Sequence, residues 1–252
     1  MQWSDRAIIL SVRRLGENSA VIHLLTPEHG MYAGVDRSAF SKRKRGIYQP
    51  GNIVDAHWQA RLPEHLGMLS CELTQAVTAH LLDDRRKLAA LTSAMLLAEK
   101  MLSEREAQPQ VYAYMDALIQ ALCGSSDWLA DYVRLEYALL SHTGFGLDLE
   151  RCAATGQAHD LMYVSPKSGR AVSREAGKPY HSRLLTLPPF LLREVDEVAA
   201  DMAQILDGLR LCGYFLETRV FAPRGIPVPA VRARFVKVLQ PEETAIGEVI
   251  GQ

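Results

Sequence analysis

Between Val54 and Arg61 apolar and polar side chains alternate without a break. Val54, Ala56, Trp58 and Ala60 fall on one side of an extended chain, and Asp55, His57, Gln59 and Arg61 on the other. Successive Cβ atoms of a strand point to opposite faces, so this alternation is the pattern of a half-buried strand. Four further β-rich runs, AIILSVRRLG, SAVIHLLTPEHG, MYAGVDRS and LGMLSCELTQ, are set off by the turn segments LGEN, TPEHG, QPG and LPEHLG. Residues 1–78 therefore predict five strands, with one long polar connection between the third and the fourth.

From residue 79 the period changes. Leu88, Leu91, Met95, Ala98 and Leu102 recur at three- and four-residue steps, the spacing of one helix face. Val111–Leu122 and Trp128–His142 repeat it, with Gly124 and Gly144 as stops, and Val198, Met202, Ile205 and Leu209 mark another helix. Residues 150–185, rich in Gly, Ser and Pro, are too long for a bare loop inside a compact domain and predict short strands or a small appended unit. Thr218–Gln240 carries Arg219, Arg224, Arg232, Arg234 and Lys237 with no acid, and the mildly acidic residues 241–252 are expected to fray. The implied class is α+β: a five-stranded barrel of the OB type over 1–78, a helical domain over 79–240 with its insertion, and a flexible tail.

With 48% hydrophobic residues the chain can bury an ordinary core. Its longest apolar run, Ala94–Ala98, is far short of a membrane span, and charges flank the only short apolar segment near the start, so the cytoplasm is the default location. Cys71, Cys123, Cys152 and Cys212 lie far apart and are expected to be reduced thiols.

A net charge of −1 means that any affinity for a polyanion must be local. Arg37, Lys42, Arg43, Lys44 and Arg45 supply that locality within the long inter-strand connection, where a mobile, solvated basic loop on an OB-type barrel suits single-stranded nucleic acid. A solvated loop without a partner and a targeting signal are the competing readings. Arg13 and Arg14 are expected to extend the same surface. Tyr32, Tyr48 and Trp58 are candidate stacking platforms for bases, although the alternation places Trp58 with apolar neighbours.

Catalytic and metal signatures are missing from the sequence. Asp83 and Asp84 suit a helix start, the eight histidines form no metal-hydrolase pair, and no nucleophile elbow, phosphate loop or dinucleotide fingerprint is present. Where a zinc knuckle would need a second cysteine three residues after Cys152, Thr155 stands instead. No catalytic residue, metal or other cofactor is assigned.

Gly16, Glu17 and Ser19, then Thr26, Glu28 and Gly30, then the basic loop closing at Gln49 and Pro50, together resemble the bacterial RecO family of recombination mediators. RLEYALLSHTGFGLDLERCAATG, a helix entering a Gly-aromatic-Gly turn and a Cys-containing insertion, is a second anchor. The resemblance covers residues 1–240. It implies an N-terminal OB-fold, a helical C-terminal domain, and an insertion that in many members holds zinc through four cysteines, of which only Cys152 is retained. It further implies a noncatalytic protein that binds single- and double-stranded DNA and anneals strands. Such a protein engages the acidic tail of single-stranded-DNA-binding protein and works with RecR, and often RecF, to load RecA. On this resemblance Lys42–Arg45 form the phosphate-binding loop, and Arg134 falls in the tail-binding segment. The competing reading of Arg134 is a helix-surface arginine paired with Glu136 or another acid. An RNA- or ribosome-associated OB-fold protein is the alternative for the whole chain.

Overall fold

The computed structural model of the protein describes residues 1–62, 65–124, 127–192 and 199–239. Five strands, β1 (Gln2–Leu15), β2 (Ser19–Thr26), β3 (Gly30–Asp36), β4 (Ile53–Gln59) and β5 (Gly67–Gln75), close into a barrel in the order β1-β2-β3-β5-β4. All neighbours are antiparallel except β3 and β5, whose short parallel pairing, Gly34 with Gly67 and Val35 with Met68, seals the barrel. Closure removes the exposed edges an open sheet of this size would present. The alternation along β4 holds: Val54, Ala56 and Trp58 are buried while Asp55, His57 and Gln59 are exposed. Trp58 fits because Gly67 has no side chain, since a Cβ there would lie 2.5 Å from the indole Nε1.

The unbroken apolar run in β1 has a different cause. Ala7 and Ile9 point into the barrel, whereas Ile8 and Leu10 point outward and join Leu25 and Ile53 in the core of the helical region. A strand buried on both faces cannot alternate, which is why AIIL reads as continuous.

The helical region begins with the single turn α1 (Val77–His80) and continues as α2 (Arg85–Met101), α3 (Pro109–Cys123) and α4 (Trp128–Leu140). Asp84 caps α2, accepting from the backbone N–H groups of Arg86 and Lys87 at 3.0 Å. Leu91, Met95, Ala98 and Leu102 are buried as their spacing requires. Gly124 ends α3, and Gly144, at φ 79°, lies in a wide turn that carries the chain out of α4. The insertion is a small three-stranded sheet, β6 (Leu161–Val164), β7 (Ala171–Ser173) and β8 (Leu185–Thr186) in the order β7-β6-β8, with the short α5 (Arg174–Gly177) between its second and third strands. The last helices are α6 (Met202–Phe215) and α7 (Ala230–Leu239). α6 starts on a capping box between Asp201 and Gln204, so Met202 falls in its first turn and is 42% exposed rather than buried with Ile205 and Leu209. Val198 and residues 241–252 lie outside the described residues.

A buried ion pair fastens α7. Arg232 donates to both carboxylate oxygens of Glu136 on α4, at 2.6 and 2.8 Å, and to the carbonyl of Leu209 on α6 at 2.8 Å. Arg219 stacks on Phe215 and donates to the Lys167 carbonyl, and Arg224 donates to the Lys100 carbonyl. Three cations of the C-terminal basic stretch therefore hold the fold together, and Arg234 and Lys237 are left exposed. The four cysteines are free thiols. No helix among the described residues is long and apolar enough to cross a membrane.

Candidate nucleic-acid interface

Residues 37–52, between β3 and β4, form a fastened coil and not the mobile loop their composition predicts. Backbone bonds from Lys44 and Arg45 to the Ser41 carbonyl and from Ile47 to the Lys44 carbonyl wind the segment into helical turns. Ala39 and Tyr48 are buried in the barrel core. Asn52 donates to the carbonyls of Gly46 and Ile47 and accepts from the Thr78 backbone N–H, tying the end of the coil to the helical region.

Asp36 organises the start of the coil. Its carboxylate accepts from the backbone N–H and the hydroxyl of Ser38 at 2.7 and 2.8 Å, from Lys44 Nζ at 2.7 Å, and from the Tyr48 hydroxyl. Burial pushes this carboxyl up, but the hydrogen bonds from Lys44, Tyr48 and Ser38 outweigh it and hold Asp36 below the usual carboxylate range. The same burial and the adjacent charge push the Tyr48 hydroxyl up. Lys44 is thus a strut of the coil, its ammonium held by an internal carboxylate. Among the described residues no carboxylate pairs with Arg37, Lys42, Arg43 or Arg45, all of them exposed.

Arg14 joins this group. Its guanidinium lies 4.4 Å from the centre of the Phe40 ring, whose backbone N–H donates to the Asn18 carbonyl in the β1–β2 turn. Ser19 Oγ donates to the Arg37 carbonyl, so the turn and the coil make one end of the barrel. Arg13 does not belong there. As the neighbour of Arg14 on a strand it faces the opposite way, where it bonds Glu99 of α2, a carboxylate only 4% exposed that also accepts from Ser11. Arg13 is thereby set apart from Arg14 and committed to an ion pair with α2. Burial lowers the pKa of His23, in the same cluster, although Glu99 and Glu104 lie near it.

The aromatic candidates separate as well. Trp58 is 1% exposed and donates its indole N–H to the Ala33 carbonyl, and Tyr48 is buried, so neither can stack a base. Tyr32 packs edge-on against Trp3 and Trp58 and keeps partial exposure. The residue missed from the sequence is Phe40, half-buried between Arg14 and the coil, and its signal was its place beside the cation run. Asp5, Glu28 and His29 bring one potential ligand atom each within 4.8 Å of one another, with Asp5 Oδ2 accepting from the Glu28 backbone and 3.2 Å from His29 Nδ1.

Arg134 on α4 pairs with Asp131 at 2.9 Å and lies 5.7 Å from the ring centre of Phe190, while Glu136 is taken by Arg232. A cation above an apolar ring is what a tail receptor needs, but here one carboxylate already occupies it. Cys152 is buried beside Ser173, whose backbone N–H donates to its Sγ at 3.2 Å. Burial raises this thiol, and hydrogen bonds from Ser173 and Thr155 outweigh it, bringing it down to about 6.

Exposed cations at one end of an OB-type barrel, four of them with no ion-pair partner among the described residues, can take sugar-phosphate without reading sequence. Residues 1–77 match the family described as "Recombination protein O N terminal" and residues 82–225 that described as "Recombination protein O C terminal". The chain is 49% identical to the DNA repair protein RecO of Rhodospirillum rubrum over 245 residues, covering 95% of this chain and 97% of that one. It is 47% identical to that of Rhodospirillum centenum, covering 98% of each, and 44% identical to that of Caulobacter vibrioides, covering 92% and 95%. The chain belongs to the RecO family of DNA repair proteins.

Proposed function

We propose that this protein is a noncatalytic recombination mediator of the cytoplasm that binds single- and double-stranded DNA at the barrel end and anneals complementary strands. With RecR, and RecF where present, it helps load RecA onto gaps coated by single-stranded-DNA-binding protein. One observation carries the DNA-binding part: Arg37, Lys42, Arg43 and Arg45 are exposed without an ion-pair partner among the described residues, and Arg14 lies beside them. Two strands repel through their phosphates, and cations that neutralise both lower the barrier to pairing without any covalent bond being made or broken. Arg134 over Phe190 is the proposed contact for the acidic tail of single-stranded-DNA-binding protein, a role that requires the tail carboxylate to displace Asp131.

The test is competition at fixed salt. Labelled single-stranded DNA should be displaced by unlabelled single-stranded and duplex DNA, and annealing of complementary strands should accelerate with protein. Preferential displacement by RNA of the same sequence would favour an RNA- or ribosome-associated role instead.

A further inference from the structure

The insertion carries a second arrangement suited to nucleic acid, away from the barrel coil. Residues 165–183 contain Lys167, Arg170, Arg174, Lys178 and Arg183 and a single acid, Glu175. Arg170 pairs with Asp148 and Arg174 with Asp160. Among the described residues no carboxylate pairs with Lys167, Lys178 or Arg183, and all three are exposed. Between the last two stands Tyr180, 59% exposed and the most exposed aromatic of the described residues.

This segment is held in place. Residues 178–183 form a 3-10 turn in which His181 Nδ1 lies 3.1 Å from the Lys178 carbonyl and the Leu184 N–H donates to the His181 carbonyl. Pro179 restricts the backbone just before the tyrosine. Beneath it Gly177 packs so closely on Tyr163 that an added Cβ would lie 2.4 Å from the ring. β8 then pairs with β6 through Leu185 opposite Val164, so the turn enters the small sheet at the end where β6 runs out toward Lys167.

We infer that the Lys178–Arg183 turn is a second contact for single-stranded DNA, with an unpaired base stacked on Tyr180 and the flanking phosphates on Lys178, Arg183 and Lys167. An aromatic face serves any base, and cations on both sides of it follow the backbone, so the contact is sequence-tolerant. Because the backbone of the turn is already fastened, binding has little chain to order. The inference rests on the proposed DNA binding and adds to it the place where a second strand is held during annealing.

The experiment is photocrosslinking of the full chain to a single strand carrying 5-iodouracil, followed by peptide mapping, with annealing measured in parallel. The expected result is a crosslink on Tyr180 beside those on the barrel coil. Tyr180→Ala, and separately Lys178→Ala with Arg183→Ala, should slow annealing about ten-fold while first-strand affinity changes less than three-fold, and Tyr180→Phe should restore the rate. Crosslinks confined to the barrel, with annealing unchanged in these variants, overturn the inference and leave the barrel interface standing. Absence of any crosslink or binding removes both.

Discussion

Lys44 Nζ lies 2.7 Å from Oδ2 of Asp36, a carboxylate 4% exposed, so one of the four consecutive cations faces into the protein while its neighbours face water. This division sets what each charge does. Lys44→Ala should leave single-strand affinity within two-fold of the parent, because its ammonium already neutralises an internal acid. Lys42→Ala, Arg43→Ala and Arg45→Ala should each weaken binding and lower the salt slope by about 0.7, the contribution of one phosphate contact on a single strand. Equal losses at all four positions would show that the Asp36 contact does not persist in solution.

Asp36 should also govern stability in acid. Its folded-state pKa lies below its ordinary value of 3.8, so its contribution is present above that pH and is lost as pH falls through the folded value. Asp36→Asn should cost roughly 1–3 kcal/mol at pH 7, the typical penalty for breaking a buried hydrogen-bonded network. The difference from the parent should shrink in denaturant melts taken between pH 4 and pH 2.

Arg13 and Arg14 are adjacent, and their substitutions should give opposite phenotypes. Arg14→Ala should weaken single-strand binding about three- to five-fold with little change in melting temperature, since its guanidinium stacks on Phe40 at the coil. Arg13→Ala should leave binding intact and lower stability by about 1–3 kcal/mol, because Glu99 loses a charged partner while remaining buried. Paired measurements of thermal melting and fluorescence anisotropy separate the two.

Glu136 and Arg232 tie α4, α6 and α7 together, and removing one partner leaves a charge in the core. Arg232→Met should destabilise the fold by about 3–5 kcal/mol. Replacing both residues by apolar ones of similar size should recover much of that loss, which a double-mutant cycle in denaturant will measure.

The barrel was legible in its turn segments and in the period-2 alternation of β4, from which Trp58 could be placed in the core beside Val54 and Ala56, whereas β1, buried on both faces, shows no such alternation. The same period-2 rule separates Arg13 from Arg14, since neighbours on one strand must face apart. Lys44 could not be told from Lys42 in this way. Its fate depends on a coil folding back onto Asp36 across eight positions, a contact that no local periodicity encodes. Phe40 stood beside the cation run, but its pairing with Arg14 was hidden for the same reason, because only the docking of the coil on the β1–β2 turn brings Arg14 over its ring. Helix α6 was visible in Ile205 and Leu209, but Met202 matched the spacing while falling in the first turn, where the capping box leaves it half in water.

The central claim is that the barrel end holds nucleic acid through the charges left free on the coil. A titration of fluorescent single-stranded DNA over a range of salt concentrations, comparing the parent with the Arg37→Ala, Lys42→Ala, Arg43→Ala, Arg45→Ala variant, tests it most directly. The parent should show a log–log salt slope of about −3 or steeper, and the variant should bind much more weakly with a slope shallower by about 2 to 3. Equal affinities and equal slopes in a folded variant would contradict the account.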